Sequence, residues 1–292
     1  MLHARANYQN PLPTITKRIG AMATENFEII RPRAAAIPLI AHVPHASTEI
    51  PSWLRSGLLL DEAEIQSELI KLTDWHTREL FSWVADLGGS IFVNNISRLV
   101  FDPERFVDDE KEPMAKVGQG AFYVRTSDGK ELAAISAAER AERVRRLYEP
   151  YHKSLADLVG ATLRASGIVL LLDCHSFATI PLPSEPSQAV DRPDICIGTD
   201  PFHTPESLAQ GLCEAFEKQG LSVELDKPFA GTLVPMQFYG SDDRVVSVMI
   251  EVRRGLYCEE RTGKRNPGFM ALRETLKEAV ESNLLEIFGR RV

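Results

Sequence analysis

The stretch GIVLLLDCHSF, residues 167–177, decides the fold class of this sequence. Its first half is a continuous apolar run, which is typical of a strand that is buried on both faces of a sheet. The run continues directly into Asp173, Cys174 and His175. In open α/β sheets, ligands bind at the carboxyl ends of the strands. The stretch therefore predicts a buried strand that delivers His175 to a functional site, although a strand that simply ends at the protein surface would also end in polar residues.

Strand-like runs and helical patterns alternate along the rest of the chain. Apolar runs of strand length recur at 35–43, 90–95, 194–200 and 245–252. Apolar residues with helical spacing occupy 61–87, 135–165, 204–219 and 268–288. This alternation predicts an α/β fold in which helices cover both faces of a central sheet. We expect residues 26–292 to form a single domain of this three-layer α/β/α kind.

The composition disfavours several classes of function. The 292 residues carry a net charge of −8, so there is no excess positive charge to bind nucleic acid or an anionic membrane surface. No apolar stretch reaches the roughly 20 residues that a membrane-spanning helix needs. The four cysteines are scattered without a CxxC pair, which fits a reducing cytoplasm better than a disulfide framework.

Two further segments stand out. The first is polar and basic and lacks the apolar core of a secretory signal, so we expect residues 1–25 to be a disordered extension of a cytoplasmic protein. The second, from 99 to 130, is long and polar for a connection and is predicted to form a lid. The sequence has no GxGxxG after a strand and no GxxxxGK[ST], which disfavours dinucleotide and phosphate-loop chemistry.

Three of the predicted strands end in side chains that bind metals or transfer protons. His42 and His45 close the first strand, and His175 closes the strand of the opening stretch. Glu251 lies in the last strand, where an ionised carboxylate is rarely buried without a partner. Asp74 lies in the first predicted helix. The carboxyl ends of the strands are therefore the predicted site.

These residue types match the requirements of a metal-dependent hydrolase. Catalytic zinc sites use about three protein ligands, often two histidines and a carboxylate, and leave the fourth position to water. His45, Asp74 and His175 supply such a set for one Zn²⁺ per chain. Glu251 then remains as the general base that takes a proton from water and later gives it to the departing amine.

Other assignments stay open on the sequence alone. Glu49 is an alternative to Asp74 as the carboxylate ligand. Glu251 has a structural role instead if it forms an ion pair with Arg253 or Arg254. His42 and His76 are candidates for supporting the ligands from behind.

Cys174 is expected to pack into the core. It directly precedes His175, and the two side chains cannot share a direction, because neighbouring residues of a strand point to opposite faces of the sheet. A catalytic thiol–imidazole pair is therefore not predicted.

In these motifs the sequence resembles the N-formylglutamate amidohydrolase family. The resemblance runs from Ile37 to Tyr257 and rests on seven motifs in the family's order. They read VPHAS, TDWHTREL, NNISRLVFDPERF, GQGAFYV, LLLDCHSF, RPDICIGTD and VMIEVRRGLY.

The resemblance implies a zinc-carboxypeptidase-like α/β/α architecture with a central mixed sheet. It also implies zinc-dependent hydrolysis of an acidic N-acyl amino acid, such as N-formyl-L-glutamate, as a small-molecule substrate. Its motifs place the metal ligands on His45, Asp74 and His175 and the general base on Glu251, in agreement with the interpretation above.

Arginines are the predicted contacts of the substrate carboxylates. The resemblance points to Arg98 and Arg105, and Arg253 at the end of the last strand is a third candidate. Guanidinium groups suit this role because they bind carboxylates through two parallel hydrogen bonds.

One segment departs from the family pattern. Where members often carry a GGYITR-type segment, this chain reads AGTLVPMQFYG at 230–240, so an arginine for a substrate carboxylate is missing. The acyl group and the amino acid therefore stay open. The alternatives are a metal-dependent peptidase or amidase that acts on another amide, and a non-catalytic ligand-binding protein of the same fold.

Overall fold

The central sheet joins seven strands in a computed structural model that describes residues 26–289. The strands are β1 (Phe27–Ile30), β2 (Leu39–Val43), β3 (Ser90–Asn94), β4 (Val169–Phe177), β5 (Ile195–Gly198), β6 (Val223–Leu225) and β7 (Val245–Arg253). Their order is β1-β3-β2-β4-β7-β5-β6. Strands β3, β2, β4 and β7 run parallel, whereas β1 and β5 run antiparallel to β3 and β7. The predicted mixed sheet is confirmed, and the predicted extension at 1–25 lies outside the described residues.

Helices connect the strands. They are α1 (Ser52–Arg55), α2 (Glu62–Leu72), α3 (Thr77–Leu80), α4 (Trp83–Asp86), α5 (Ala137–Arg143), α6 (Glu149–Ser166), α7 (Glu206–Lys218) and α8 (Phe269–Gly289). Short 3₁₀ helices span Pro113–Val117 and Arg254–Leu256, and a π-helical turn spans Val144–Tyr148. None of the helices described here is both long and apolar enough to cross a bilayer.

The two faces of β4 show why the fold has three layers. Leu172 lies in a buried cluster with Leu276 of α8 on one face. Leu171, the preceding residue, lies in a second cluster with Leu155 of α6 on the other face. Because side chains alternate across a strand, one continuous apolar run supplies both cores. The predicted three-layer α/β/α arrangement is confirmed.

The first long helix is broken where the site begins. The 61–87 pattern predicts one helix, but α2 ends at Leu72 and Thr73 is already extended. The backbone N–H of Asp74 donates to the carbonyl of His45 at 3.0 Å, and His76 adopts a left-handed conformation with φ of 60°. Asp74 therefore lies on a connection beside the end of β2, and not on a helix as predicted.

A proline lies next to a π-helical turn in the second long predicted helix. As the 135–165 pattern predicts, helical residues run without a gap from Ala137 to Ser166, and the π-helical turn joins α5 to α6. Pro150 has no N–H, so the carbonyl of Arg146 lacks its helical donor. Asn26 Nδ2 donates to that carbonyl instead, at 2.7 Å. The helical hydrogen bond that the proline removes is thus replaced by one from the segment that leads into β1.

Two strands of the sheet were not predicted. β1 has four residues and β6 has three, and both are only partly buried. Such short segments carry too few alternating residues to show a period of two. A separate hairpin of β8 (Cys258–Glu259) and β9 (Lys264–Arg265) is shorter still. The missed elements all lie away from the centre of the sheet.

Two leucines of α8 test the packing of this helix. Leu276 is fully buried, whereas Leu285 is 82% exposed. We expect Leu276→Ala to lower the free energy of unfolding by about 2–5 kcal/mol, because the substitution leaves a cavity against the sheet. Leu285→Ala is the matched control and should change stability by less than about 0.5 kcal/mol. Urea unfolding measures both, and equal effects of the two substitutions would contradict the packing described here.

Candidate active site

The carboxyl ends of β2, β4 and β7 meet at one pocket. His45 follows β2 by two residues, His175 lies near the end of β4, and Glu251 lies beside it on β7 in the parallel register. All three side chains line a cavity of about 570 Å³. The position agrees with the rule that open α/β sheets bind ligands at the carboxyl ends of their strands.

The three predicted metal ligands converge. His45 Nδ1 lies 3.2 Å from His175 Nδ1. Asp74 Oδ2 lies 3.3 Å from His175 Nδ1 and 3.6 Å from His45 Nδ1. All three residues are buried. Their donor atoms therefore form a compact triangle, although the residues are up to 130 positions apart in the chain.

This triangle fits a small divalent cation. Donor atoms around a tetrahedral zinc lie about 2.0–2.2 Å from the metal and hence about 3.3 Å from one another. The remaining oxygen, Asp74 Oδ1, is buried and has no hydrogen-bond partner among the described residues. Two imidazole nitrogens and one carboxylate are also a donor set that zinc prefers. The residues present can hold such an ion.

Carboxylates fix both imidazole rings from behind. His45 Nε2 lies 2.8 Å from Asp102 Oδ1, and His175 Nε2 lies 3.1 Å from Asp173 Oδ1. Asp102 is itself held by Arg98 Nη2 at 2.9 Å and by the hydroxyl of Tyr123 at 2.8 Å. A carboxylate on the far nitrogen orients a metal-binding histidine and raises its basicity. Here it turns both Nδ1 atoms towards the centre of the triangle.

The charges of this cluster stabilise one another. Burial by itself would favour a neutral imidazole, but the carboxylates of Glu104 and Asp173 hold the pKa of His175 well above its ordinary value. Burial likewise opposes ionisation of Asp74, but hydrogen bonds from His175 and His45 lower its pKa. In the metal-free protein, His175 is therefore a cation among anions.

Glu104 is the main residue of the site that the sequence analysis missed. Its carboxylate lies 3.1 Å from His175 Nε2 and 3.4 Å from His42 Nδ1. Ligand-type atoms of His45, Glu104 and His175 lie within 4.8 Å of one another, as do those of His42, Glu104 and Asp173. Glu104 contacts the nitrogen of His175 that faces away from the triangle. Asp74, which contacts both Nδ1 atoms, is therefore the better third ligand.

Glu251 is a buried carboxylate without a fixed partner. Its Oε2 has no hydrogen-bond partner within residues 26–289. Burial raises the pKa of Glu251 to about 8, and the nearby charge of Asp74 adds to this effect, while His175 and Arg98 oppose it. An acid of this strength holds and releases protons near neutral pH, as a general base requires.

The alternative structural role of Glu251 has no support in the ion pairs. Arg253 pairs with Asp194, and Arg254 Nη1 donates to the carbonyl of Lys71 at 2.7 Å. Neither guanidinium forms an ion pair with Glu251 in the part of the chain that the structure describes.

Two of the three predicted substrate-binding arginines line the pocket. Arg98 and Arg105 do so, but Arg253 does not, because its side chain is drawn to Asp194. Its neighbour Arg254 lines the pocket instead. The Nε atoms of Arg105 and Arg254 are buried without a hydrogen-bond partner in the described structure. Arg105 Nε lies 3.7 Å from Asp102 Oδ2 and Arg254 Nη1 donates to Lys71, so each guanidinium is partly engaged and keeps further N–H donors for an anion.

The remaining candidates lie at different distances from the triangle. His42 supports it, since its Nδ1 contacts Asp173 Oδ1 at 2.9 Å. His76 does not, because its Nε2 contacts the carbonyl of Gly263 at 2.7 Å. Glu49 is exposed at a different, smaller pocket. Cys174 packs in the core as predicted.

The pocket collects polar atoms that lack partners. Buried polar groups in proteins nearly always form hydrogen bonds. More than half of the described exceptions line this pocket, and they include atoms of Asp74, Arg105, Gln119, His152, Glu251 and Arg254. The arrangement indicates a site for a polar ligand. The 99–130 segment supplies one wall, through residues between Pro103 and Gln119, and its action as a lid stays a prediction.

The sequence does mark some of the site residues that the sequence analysis missed. Asp173 precedes His175 by two strand positions, so the two side chains point to the same face of β4. Glu104 stands beside Arg105 in the DPER motif. Gln119 lies in the GQGAFYV motif, whereas no local pattern marks His152, which enters the pocket only through the fold.

His152 makes the free energy of unfolding of the protein depend on pH. Burial and the nearby His42 lower the pKa of His152 to about 4, against an ordinary 6.5. The unfolded chain therefore binds this proton first as the pH falls, and stability is lost between about pH 6.5 and pH 4. By pH 5 the loss is about 2 kcal/mol. In urea unfolding of metal-free protein at pH 8 and pH 5, His152→Asn should lose less stability than the unchanged protein, and equal losses would contradict this origin.

Comparisons with known proteins identify relatives of this chain. Residues 37–258 match the model of the N-formylglutamate amidohydrolase family. An N-formylglutamate deformylase of Pseudomonas putida is 29% identical over 77% of this chain and 83% of its own length. A second one, of Pseudomonas aeruginosa, is 28% identical over 88% and 96%.

Solved structures show the same fold. The crystal structure of an N-formylglutamate amidohydrolase from Ralstonia eutropha JMP134 has a TM-score of 0.77 at 24% identity, over 91% of this chain and 99% of that one. A gene product of Agrobacterium tumefaciens, Atu2144, has a TM-score of 0.64 at 20% identity, over 88% and 96%. Because the family model covers most of the chain, from the end of the first connection to the last hairpin, this protein belongs to the N-formylglutamate amidohydrolase family.

Proposed function

We propose that this protein is a zinc-dependent amidohydrolase that removes a formyl-type acyl group from an acidic N-acyl amino acid, such as N-formyl-L-glutamate. The observation that carries the proposal is the convergence of His45, Asp74 and His175 beside the unpartnered carboxylate of Glu251. The names of the two Pseudomonas relatives support amide hydrolysis.

His45, Asp74 and His175 would hold the zinc ion. When bound, zinc supplies Lewis-acid chemistry, in that it lowers the pKa of water and polarises a carbonyl group. Asp102 and Asp173 keep the two imidazole rings in the orientation that binding needs.

Glu251 is the general base of the proposed reaction. Its Oε2 accepts a proton from the attacking water, and the water oxygen adds to the acyl carbon. Glu251 then gives this proton to the amide nitrogen as the C–N bond breaks, which yields a carboxylate and a free amino acid. The positive charge of a bound cation lowers the pKa of Glu251 below its metal-free value of about 8, so the base is ionised near neutral pH.

Arg105 and Arg254 bind the substrate carboxylates. Each lines the pocket and has a buried Nε without a hydrogen-bond partner among the described residues, although Arg105 Nε also lies 3.7 Å from Asp102 Oδ2. Arg98 is held by Asp102 and Tyr123, so it positions the carboxylate behind His45 and adds positive charge to the pocket. An acidic amino acid offers two carboxylates, which matches the two guanidinium groups of Arg105 and Arg254 at the pocket.

Two substitutions separate metal binding from proton transfer. Glu251→Gln should keep stoichiometric zinc while kcat falls by about 10²- to 10⁴-fold, the usual contribution of general acid–base catalysis. His175→Ala should lose zinc and activity together, because two ligands hold zinc poorly. Zinc content, melting temperature and kcat are measured on the same preparations. A zinc-loaded and fully active Glu251→Gln protein would refute the assignment of the base.

A matched pair of substitutions tests which carboxylate binds the metal. Asp74→Asn should weaken zinc binding, whereas Glu49→Gln should leave zinc content unchanged, because Glu49 is exposed at another pocket. The reverse result would move the ligand to Glu49. A protein that takes up no zinc under any condition would favour the non-catalytic binding alternative, and preferential cleavage of short peptides would favour the peptidase.

Adjacent arginines test substrate binding. Arg254→Gln should raise KM for N-formyl-L-glutamate by about 10- to 100-fold, since a hydrogen bond to a charged group contributes about 1.5–3 kcal/mol. Arg253→Gln is the control, because Arg253 lies outside the pocket and pairs with Asp194. Steady-state kinetics with both variants decide the assignment, and a larger effect at Arg253 would overturn it.

A further inference from the structure

A segment without helix or strand forms part of the pocket wall. Residues 178–192 follow β4 and contain neither kind of element, and we call them the 178–192 segment. Four of its residues line the cavity, namely Leu182, Ser184, Glu185 and Pro186. Connections longer than about 12 residues without secondary structure are uncommon in compact domains, and they are usually either functional or disordered.

The segment bridges two sides of the pocket. It starts at the end of β4 and leads into β5, beyond β7 in the sheet. In its middle, Leu182 packs against the buried cluster that contains Leu99 and Tyr123. The hydroxyl of Tyr123 accepts a hydrogen bond from Arg98 Nε at 3.2 Å, so this cluster lies on the Arg98 side of the pocket. The segment therefore extends from the β5 side to the Arg98 side.

The backbone of the segment does little to hold this shape. Among the described hydrogen bonds between backbone groups, one lies within the segment, from the N–H of Glu185 to the carbonyl of Leu182 at 3.0 Å. Pro181, Pro183 and Pro186 have no N–H group to donate. The position of the segment therefore depends on contacts from side chains.

One buried guanidinium group supplies several of these contacts. Arg192 is 7% exposed and does not line the pocket itself. Its Nη1 donates to the carbonyl of Ala178 at 2.9 Å, its Nε donates to that of Ala189 at 3.3 Å, and its Nη2 pairs with the carboxylate of Glu185. An arginine suits this position because its N–H donors diverge in a rigid planar fork. The beginning, the middle and the end of the segment thus meet at one side chain.

The same guanidinium group contacts two aromatic rings of the pocket. Its central carbon lies 5.5 Å from the ring centroid of Phe177 and 5.8 Å from that of Phe229. These distances fit cation–π contacts. Both phenylalanines line the cavity, and Phe229 belongs to the connection that follows β6. Arg192 therefore joins the 178–192 segment to a second part of the pocket wall.

We propose that Arg192 is a positioning residue that fixes the 178–192 segment at the pocket, so that the lining residues of the segment can contact the substrate. This inference rests on the proposed hydrolysis of N-acyl amino acids. Arg192 opens the RPDICIGTD motif, to which the proposed reaction assigns no role. Its described contacts include neither the metal ligands nor Glu251. Substrate binding should therefore depend on Arg192, whereas zinc binding and proton transfer should not.

Steady-state kinetics of zinc-loaded protein test this role. Arg192→Gln should raise KM for N-formyl-L-glutamate by about tenfold or more, while kcat changes by less than about threefold, because a displaced wall weakens binding and leaves the chemistry in place. Zinc content should stay stoichiometric. A merely structural role would reduce the number of folded molecules, which lowers the apparent kcat at an unchanged KM. That result, or no change in either constant, would overturn the inference.

Arg253→Gln is the matched control. Arg253 pairs with Asp194, just beyond the segment, and neither residue lines the pocket. Loss of this ion pair should leave KM within about twofold, since it displaces no lining residue. A rise in KM as large as that of Arg192→Gln would contradict a specific role of Arg192.

A double variant covers the case in which Arg192→Gln does not fold. Removing one partner of a buried ion pair leaves the other charge uncompensated, so Arg192→Met is combined with Glu185→Gln and compared with Glu185→Gln alone. The double variant should have the higher KM, by about threefold or more, because only this variant lacks the hydrogen bonds to Ala178 and Ala189. Equal KM values would refute the positioning role.

Limited proteolysis separates the inference from the catalytic proposal. Ile180 and Val190 are 72% and 79% exposed, so proteinase K can reach the segment. Cleavage within 178–191, mapped by mass spectrometry, should be about tenfold faster in Arg192→Gln than in Arg253→Gln, because local opening exposes the backbone. If the unchanged zinc-loaded protein hydrolyses no N-acyl amino acid, the proposed function fails, and these cleavage rates still decide whether Arg192 holds the segment. Equal rates in the two variants would overturn the inference.

Discussion

A buried carboxylate holds each of the two histidines at the centre of this pocket, and the rest of the site depends on that arrangement. Asp102 fixes the ring of His45, and Asp173 fixes the ring of His175. Because each far nitrogen is engaged, each Nδ1 faces the other and leaves room for a third donor, which Asp74 supplies. The orientation of these three donor atoms is thus set by residues outside the triangle.

Burying this cluster of charges costs free energy in the folded state. Ionised groups lose hydration when they are buried, and they are retained only where opposite charges and hydrogen bonds offset the loss. Arg98 and Tyr123 do this for Asp102, and His42 and the backbone N–H of Leu233 do it for Asp173. Several atoms that face the pocket still lack partners. Such atoms are typical of a site that completes its hydrogen bonds with a ligand, since buried polar atoms in proteins are nearly always paired.

Much of the fold and part of the site were predictable from the sequence. The apolar run at 167–177 predicted a strand buried on both faces, because a pattern with no polar face leaves it no exposed side. His45 and His175 were predicted as site residues because a polar residue that ends such an apolar run lies at the carboxyl edge of the sheet. The short strands β1 and β6 escaped prediction, as did the break after Leu72, where a hydrogen bond from Asp74 to His45 overrides the helical pattern.

The sequence by itself therefore determined the α/β class, the central strand and the residue types at its end, because these follow from local hydrophobicity and alternation. Only the tertiary structure decided that Arg254 and not Arg253 faces the pocket, that Asp74 and not Glu49 meets the histidines, and that Glu104 joins them. The physical reason is that adjacent residues differ only in the direction of their side chains. That direction is set by strand register and by ion pairs such as Arg253 with Asp194, which join residues 59 positions apart.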